Sequence, residues 1–238
     1  LATAGRLDAD IAYGSDARQI MDIARPAEQS RGLVVIVHGG YWHKFDKSWW
    51  TFLASGALAR GWSVALPSYR LAPSASIPEI TQDIADAVTT ASRWVDGPIR
   101  LTGHSAGGHL VARMMSEDAR LASEVFQRLA HVLPISGLYD LRPLMAHPMN
   151  ASLQLDLDAA IAESPALHRP LTGVAMTPWV GAEERPEFLR QTRLLCERWG
   201  VALPDLQGIY EPGKNHFSVI EGLALADSPL TDCLLYSD

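Results

Sequence analysis

Ile99-Arg100-Leu101-Thr102-Gly103-His104-Ser105-Ala106-Gly107-Gly108-His109-Leu110-Val111 passes from a short apolar run through a glycine-flanked serine into a segment of helical spacing. These residue types impose the order strand, tight turn, helix. Glycines at 103 and 107 keep side chains out of a crowded turn, and the serine between them sits on strained backbone that lifts its hydroxyl above a sheet edge. The following helix directs its N-terminal dipole at negative charge forming beside that hydroxyl. Ser105 is the candidate nucleophile on this reading.

Around that turn, apolar runs alternate with helix-period segments from about residue 32 to residue 225, which predicts an α/β chain with a mostly parallel central sheet and helices on both faces. With the serine elbow in place, the expected architecture is the α/β-hydrolase fold. Residues 33–37 read as a fully buried strand. Residues 49–60 have helical spacing and end at Gly61, and 63–66 form a short strand closed by Pro67. The clearest helix spans 77–95, with Pro78 in its first turn and Ile80, Ile84, Val88, Ala91 and Val95 at three- or four-residue steps. Strands are expected at 131–135, 173–180 and 206–210, a helix at 186–199, and weaker strands near Ala12 and at 20–23. Residues 137–170, rich in proline, read as a small cap inserted into a single domain that spans 1–238.

The chain has 238 residues, 47% apolar and 20% charged, enough to bury a core without disulfide or metal. Its formal net charge of -7, with no Lys/Arg run, argues against nucleic acid and anionic membrane as partners. No stretch of 18 apolar residues exists, so no membrane span is expected. Two cysteines, Cys196 and Cys233, lie in no metal or redox motif; Cys196 falls on the apolar stripe of a helix. Such low cysteine use suits a cytoplasmic protein. The chain begins at Leu1 rather than Met, so N-terminal residues are expected to be missing, and the sequence alone does not exclude a removed targeting segment. No cofactor and no metal are signalled. The expected partner is a small-molecule substrate, and a homodimer is compatible with this reading.

A second glycine-rich stretch, His38-Gly39-Gly40-Tyr41-Trp42, ends the strand at 33–37. In this fold one oxyanion donor is the residue after the nucleophile, here Ala106, and another comes from such a loop. Chain order in the fold is nucleophile, acid, histidine, which sets aside His38, His43 and His104 as bases. His109 lies on the helix after the elbow and faces away from attack, His131 begins a strand, and His147 and His168 lie in the proline-rich insertion. His216, in the loop after the last strand, is the candidate base. For the acid, Glu183 and Glu184 follow the penultimate strand and Asp140 follows the one before it; spacing does not choose among them.

At these residues the sequence resembles the kynurenine formamidase (arylformamidase) branch of the α/β hydrolases, near the hormone-sensitive-lipase-like esterases. The likeness is carried by His38-Gly39-Gly40-Tyr41-Trp42, Gly103-His104-Ser105-Ala106-Gly107-Gly108-His109, Ser136-Gly137-Leu138-Tyr139-Asp140-Leu141, Pro186-Glu187-Phe188 with Gln191, and Asn215-His216-Phe217. It implies Ser105 as nucleophile and His216 as base. It places the acid directly before Arg185-Pro186-Glu187-Phe188, hence at Glu184, where the family usually has aspartate. It implies oxyanion donors at Gly40, Tyr41 and Ala106, and a substrate pocket touching Gly39 and Trp42, with packing under the loop as the alternative for Trp42. The implied activity is removal of a small acyl group from an aryl amide or ester, N-formylkynurenine among them. A short-chain carboxylesterase is the near rival, and a non-catalytic ligand-binding protein on the same fold is the rival from another class.

Overall fold

The computed structural model describes residues 6–235; Leu1 lies outside the described residues. Its centre is a nine-stranded sheet: β1 (Leu7–Ala12), β2 (Ile20–Ala24), β3 (Leu33–Val37), β4 (Ser63–Pro67), β5 (Ile99–His104), β6 (Leu129–Ile135), β7 (Ala175–Met176), β8 (Trp179–Gly181) and β9 (Ile209–Glu211). The spatial order is β1-β2-β4-β3-β5-β6-β8-β9, and β7 also pairs with β6. β1 and β2 are antiparallel additions, and β4 onward run parallel. A mostly parallel sheet with helices on both faces is the α/β-hydrolase architecture expected from the sequence.

β3 shows why a central strand of this kind reads as an unbroken apolar run. Side chains alternate across a strand with a period of two. Leu33, Val35 and Val37 enter one core cluster, while Val34 and Ile36 enter the other. The first face is covered by the helices Ile77–Ser92, Ala106–Arg113 and Pro186–Trp199, which contribute Ile80, Ile84, Leu110 and Leu195. The second is covered by Ala54–Ala59, Ser218–Ala224 and Pro229–Leu235, with Ala57, Val219 and Leu230 buried. Helix Ile77–Ser92 starts on a capping box in which the Glu79 carboxylate accepts from the Ser76 backbone N–H at 2.8 Å.

Several boundaries differ from the sequence expectation. The strand expected at 173–180 breaks into β7 and β8, because Pro178 has no N–H to give the ladder; its carbonyl instead accepts from Ile209 at 2.8 Å. The last strand begins at Ile209 rather than 206. Helix 77–95 stops at Ser92, and the helix at 49–60 is a 3-10 segment, Lys47–Leu53, before Ala54–Ala59. Residues 137–170 form short helical segments and connecting turns, and Leu153, Leu155, Ala160 and Ala166 of this stretch join the first core cluster. Among the described residues, no helix is long and apolar enough to cross a membrane.

Candidate active site

The turn after β5 carries Ser105 at φ 56° and ψ −114°, a conformation costly for any residue with a Cβ. Two backbone bonds hold it there: the Ser105 N–H donates to Ile135 O at 2.8 Å, and its carbonyl accepts from His109 at 2.9 Å. The flanking glycines are steric necessities. A Cβ at Gly103 would lie 2.4 Å from Gly107 O, and one at Gly107 would lie 2.1 Å from Val37 O. The helix Ala106–Arg113 therefore starts pressed against the end of β3, with Ser105 at the junction.

His216 reaches the same point from the far edge of the sheet. Its loop after β9 is wound by Asn215, whose side-chain oxygen accepts from Phe217 at 3.0 Å and Ser218 at 3.1 Å. The imidazole Nε2 lies 3.2 Å from Ser105 Oγ, and Nδ1 lies 2.6 Å from Glu184 Oε2. Phe188 stacks on the ring at a centroid distance of 4.1 Å. With Nδ1–H donating to the carboxylate, Nε2 is left as an acceptor facing the serine hydroxyl.

Glu184, whose side chain is fully buried, is gripped by its other oxygen. Oε1 accepts from the Ser136 hydroxyl at 2.5 Å and from the Gly181 N–H at 3.0 Å. Ser136 is itself at φ 50°, at the end of β6, with its N–H donating to Trp179 O at 2.7 Å. Sequence reasoning gave Ser136 no role, although it follows a buried strand and opens the stretch 136–141 that carries part of the family likeness. Glu183, the neighbour, is exposed and does not touch the imidazole; its N–H donates to Lys214 O at 3.0 Å and ties the acid loop to the histidine loop. Asp140 turns to Arg142 instead, at 2.9 Å, so of the three acids only Glu184 meets His216.

His104, also unmarked by sequence reasoning except as a rejected base, supports His216 from beside the serine. Its ring lies 4.5 Å from the His216 ring, and its Nε2–H donates to the His216 carbonyl at 2.7 Å. Burial, with the nearby His216 charge adding to it, pushes its pKa down to about 3, so it is a neutral donor near pH 7.

The loop after β3 is a tight bend in which Gly40, at φ 115°, accepts at its carbonyl from His43 at 3.1 Å and Lys44 at 2.9 Å. Gly40 and Tyr41 border a cavity of about 290 Å³ that opens onto Ser105 and His216, and Ala106 follows the serine. The rest of the wall is Phe45, Trp49, Trp50, Phe52, His104, Phe217 and Ile220. Trp42 is not on that wall, which corrects its assignment to the pocket. It is buried beneath the loop and its indole N–H donates to His109 Nδ1 at 3.2 Å. Gly39 is likewise behind the wall, where a Cβ would meet His104 O at 2.9 Å. His109 completes its bonding by donating to Glu163 O, and His38 stacks on Tyr69, so both are packing residues. His131 bonds Thr177 and Leu234, while His147 and His168 serve their own local turns.

Comparisons with known proteins give this geometry a context. The sequence profile of a family described as BD-FAE matches residues 21–166. The kynurenine formamidase of Salmo salar is 28% identical over 240 residues, covering 95% of this chain and 80% of that protein. That of Drosophila melanogaster is 26% identical over 236 residues, covering 92% and 77%. A crystal structure from Silicibacter, of a protein provisionally assigned as a thioesterase, is 47% identical, covers 97% of this chain and 86% of its own, and superposes with a TM-score of 0.92.

Proposed function

The chain belongs to the BD-FAE family, and from that premise we propose that it is a serine hydrolase that removes a small acyl group from an aryl amide or ester. The observation that carries this reading is the continuous contact from Glu184 through His216 to Ser105 at the mouth of an aromatic cavity. Ser105 is the nucleophile, His216 the base and Glu184 the acid, with Gly40, Tyr41 and Ala106 as oxyanion donors.

In the cycle, His216 Nε2 takes the Ser105 proton as Oγ bonds to the substrate carbonyl carbon. The carbonyl π pair moves to oxygen, and N–H groups of Gly40, Tyr41 and Ala106 stabilise that oxyanion, each donor being worth roughly 3 kcal/mol in the transition state. Glu184 holds the imidazole in its Nδ1–H form and stabilises the cation made by proton uptake. The tetrahedral species collapses, the bond to the amine or alcohol breaks, and His216 delivers its proton to the leaving group. Water, deprotonated by His216 in turn, then releases the acid and restores Ser105.

Formamidase relatives among the curated proteins support an aryl formamide as substrate, and N-formylkynurenine and formanilide are the first compounds to assay. A short-chain ester is the second reading, favoured by the small volume of the cavity, about 290 Å³. The two cysteines, both free thiols, suit work in the cytoplasm.

Ser105→Ala is expected to lower kcat/KM at least about 1,000-fold on any accepted substrate and to abolish labelling by a fluorophosphonate. Activity and labelling that survive this change would remove Ser105 from its role and leave a ligand-binding function as the better account.

A further inference from the structure

The walls of the cavity beside Ser105 carry rings rather than charges. Phe45, Trp49, Trp50, Phe52 and Phe217 surround it with Ile220, and none of its lining residues is Asp, Glu, Lys or Arg. Lys44, beside Phe45 on the β3 loop, is exposed and does not line the cavity, and three other cations near the β3 loop and the histidine loop have partners of their own. Arg18 donates to the carbonyls of Tyr69 and Phe45 at 2.9 and 2.5 Å, Lys47 pairs with Asp10 and Asp22 at 2.8 and 2.7 Å, and Lys214 lies 3.6 Å from Glu221. Apart from His216, the imidazole on the wall is His104, kept neutral by burial. An ionised group seated among these rings would shed water and meet no counter-charge, which is the expensive case.

We propose that the site selects substrates whose seated portion is an uncharged aromatic or alkyl group, and rejects those that place a carboxylate or an amino-acid zwitterion there. This rests on the hydrolase reading above and deepens it. N-formylkynurenine, which carries both an ammonium and a carboxylate, meets this condition only with those groups held in solvent outside the ring-lined cavity.

Matched pairs test it: phenyl acetate against 4-acetoxybenzoate, and formanilide against 4-formamidobenzoate, with N-formylkynurenine alongside. The neutral member is expected to have a kcat/KM about tenfold or more above its carboxylated partner, expressed mainly in KM. The gap should persist in roughly 0.5 M salt, which screens the long-range repulsion of a chain of net charge -7 but not local desolvation. Trp49→Arg, at a cavity-wall position that is 65% exposed, should narrow the gap by supplying the missing cation.

Equal or faster turnover of the carboxylated members overturns the proposal, as does a gap that vanishes in salt. Cleavage of none of these compounds, with no fluorophosphonate labelling, defeats the hydrolase reading and this inference with it. Labelling together with neutral-only cleavage supports both.

Discussion

At the scale of single residues, Ser136 tests how the acid is held. Its hydroxyl and the Gly181 N–H both serve Glu184 Oε1, and hydrogen bonds to an ionised group are worth about 1.5–3 kcal/mol. In the proposed relay, Ser136→Ala should lower kcat/KM roughly tenfold, with the loss in kcat. Because Ser136 sits at φ 50°, Ser136→Gly separates hydroxyl from strain: it should be more stable than Ser136→Ala by about 1 kcal/mol in urea unfolding yet equally impaired. If Ser136→Gly recovers activity, the residue shapes backbone only. Ser105 and His216 were legible because their glycine and loop settings are local in sequence. Glu184 needed the family likeness, because three acids sat at compatible spacings. Ser136 and His104 were not legible, since what they do depends on hydrogen bonds to residues 48 and 112 positions away.

At the scale of elements, the elbow works only if the helix Ala106–Arg113 can lie against the end of β3. Gly107→Ala would put a carbon 2.1 Å from a backbone oxygen that cannot rotate aside. A loss of roughly 2–3 kcal/mol in urea unfolding is expected, together with loss of fluorophosphonate labelling as Ser105 is displaced. Gly173→Ala is the control: it has open space around it but φ +86°, so it should cost only about 1 kcal/mol and leave labelling intact. Similar costs at the two sites would mean that packing at the elbow is looser than the contact distance implies. The strands β3, β4, β5 and β6 were read near their true limits because both faces are almost wholly buried and apolar residues dominate β3, β4 and β6. β7, β8 and β9 were misdrawn because two or three residues cannot show a period, and Pro178 splits what composition alone joins.

For the whole molecule, buried histidines set how stability follows pH. Burial depresses His38 and His131 to about 4 and His104 and His109 to about 3, against a value near 6.5 in the unfolded chain. Between these limits the unfolded state binds more protons than the folded one. The folded state is therefore favoured fully above pH 6.5 and loses ground as pH falls toward 4, by up to ~1.4 kcal/mol per pH unit for each histidine. The urea midpoint should fall steeply from pH 6.5 to 4.5, before the depressed carboxylates such as Asp140 and Glu187 begin to titrate. A flat midpoint over that interval would mean that these imidazoles gain protons without unfolding.

The bond from Glu183 to Lys214 also gives the site a place in time. The serine turn is held by residues 37–135 of the chain, but its histidine arrives from 111 residues later and its acid lies 32 residues before that histidine. Both are borne on two three-residue strands at the sheet margin, stitched loop to loop. A ribosome-bound chain that has not yet released this margin holds an unarmed serine. In the proposed mechanism, activity therefore depends on the last edge of the sheet having closed.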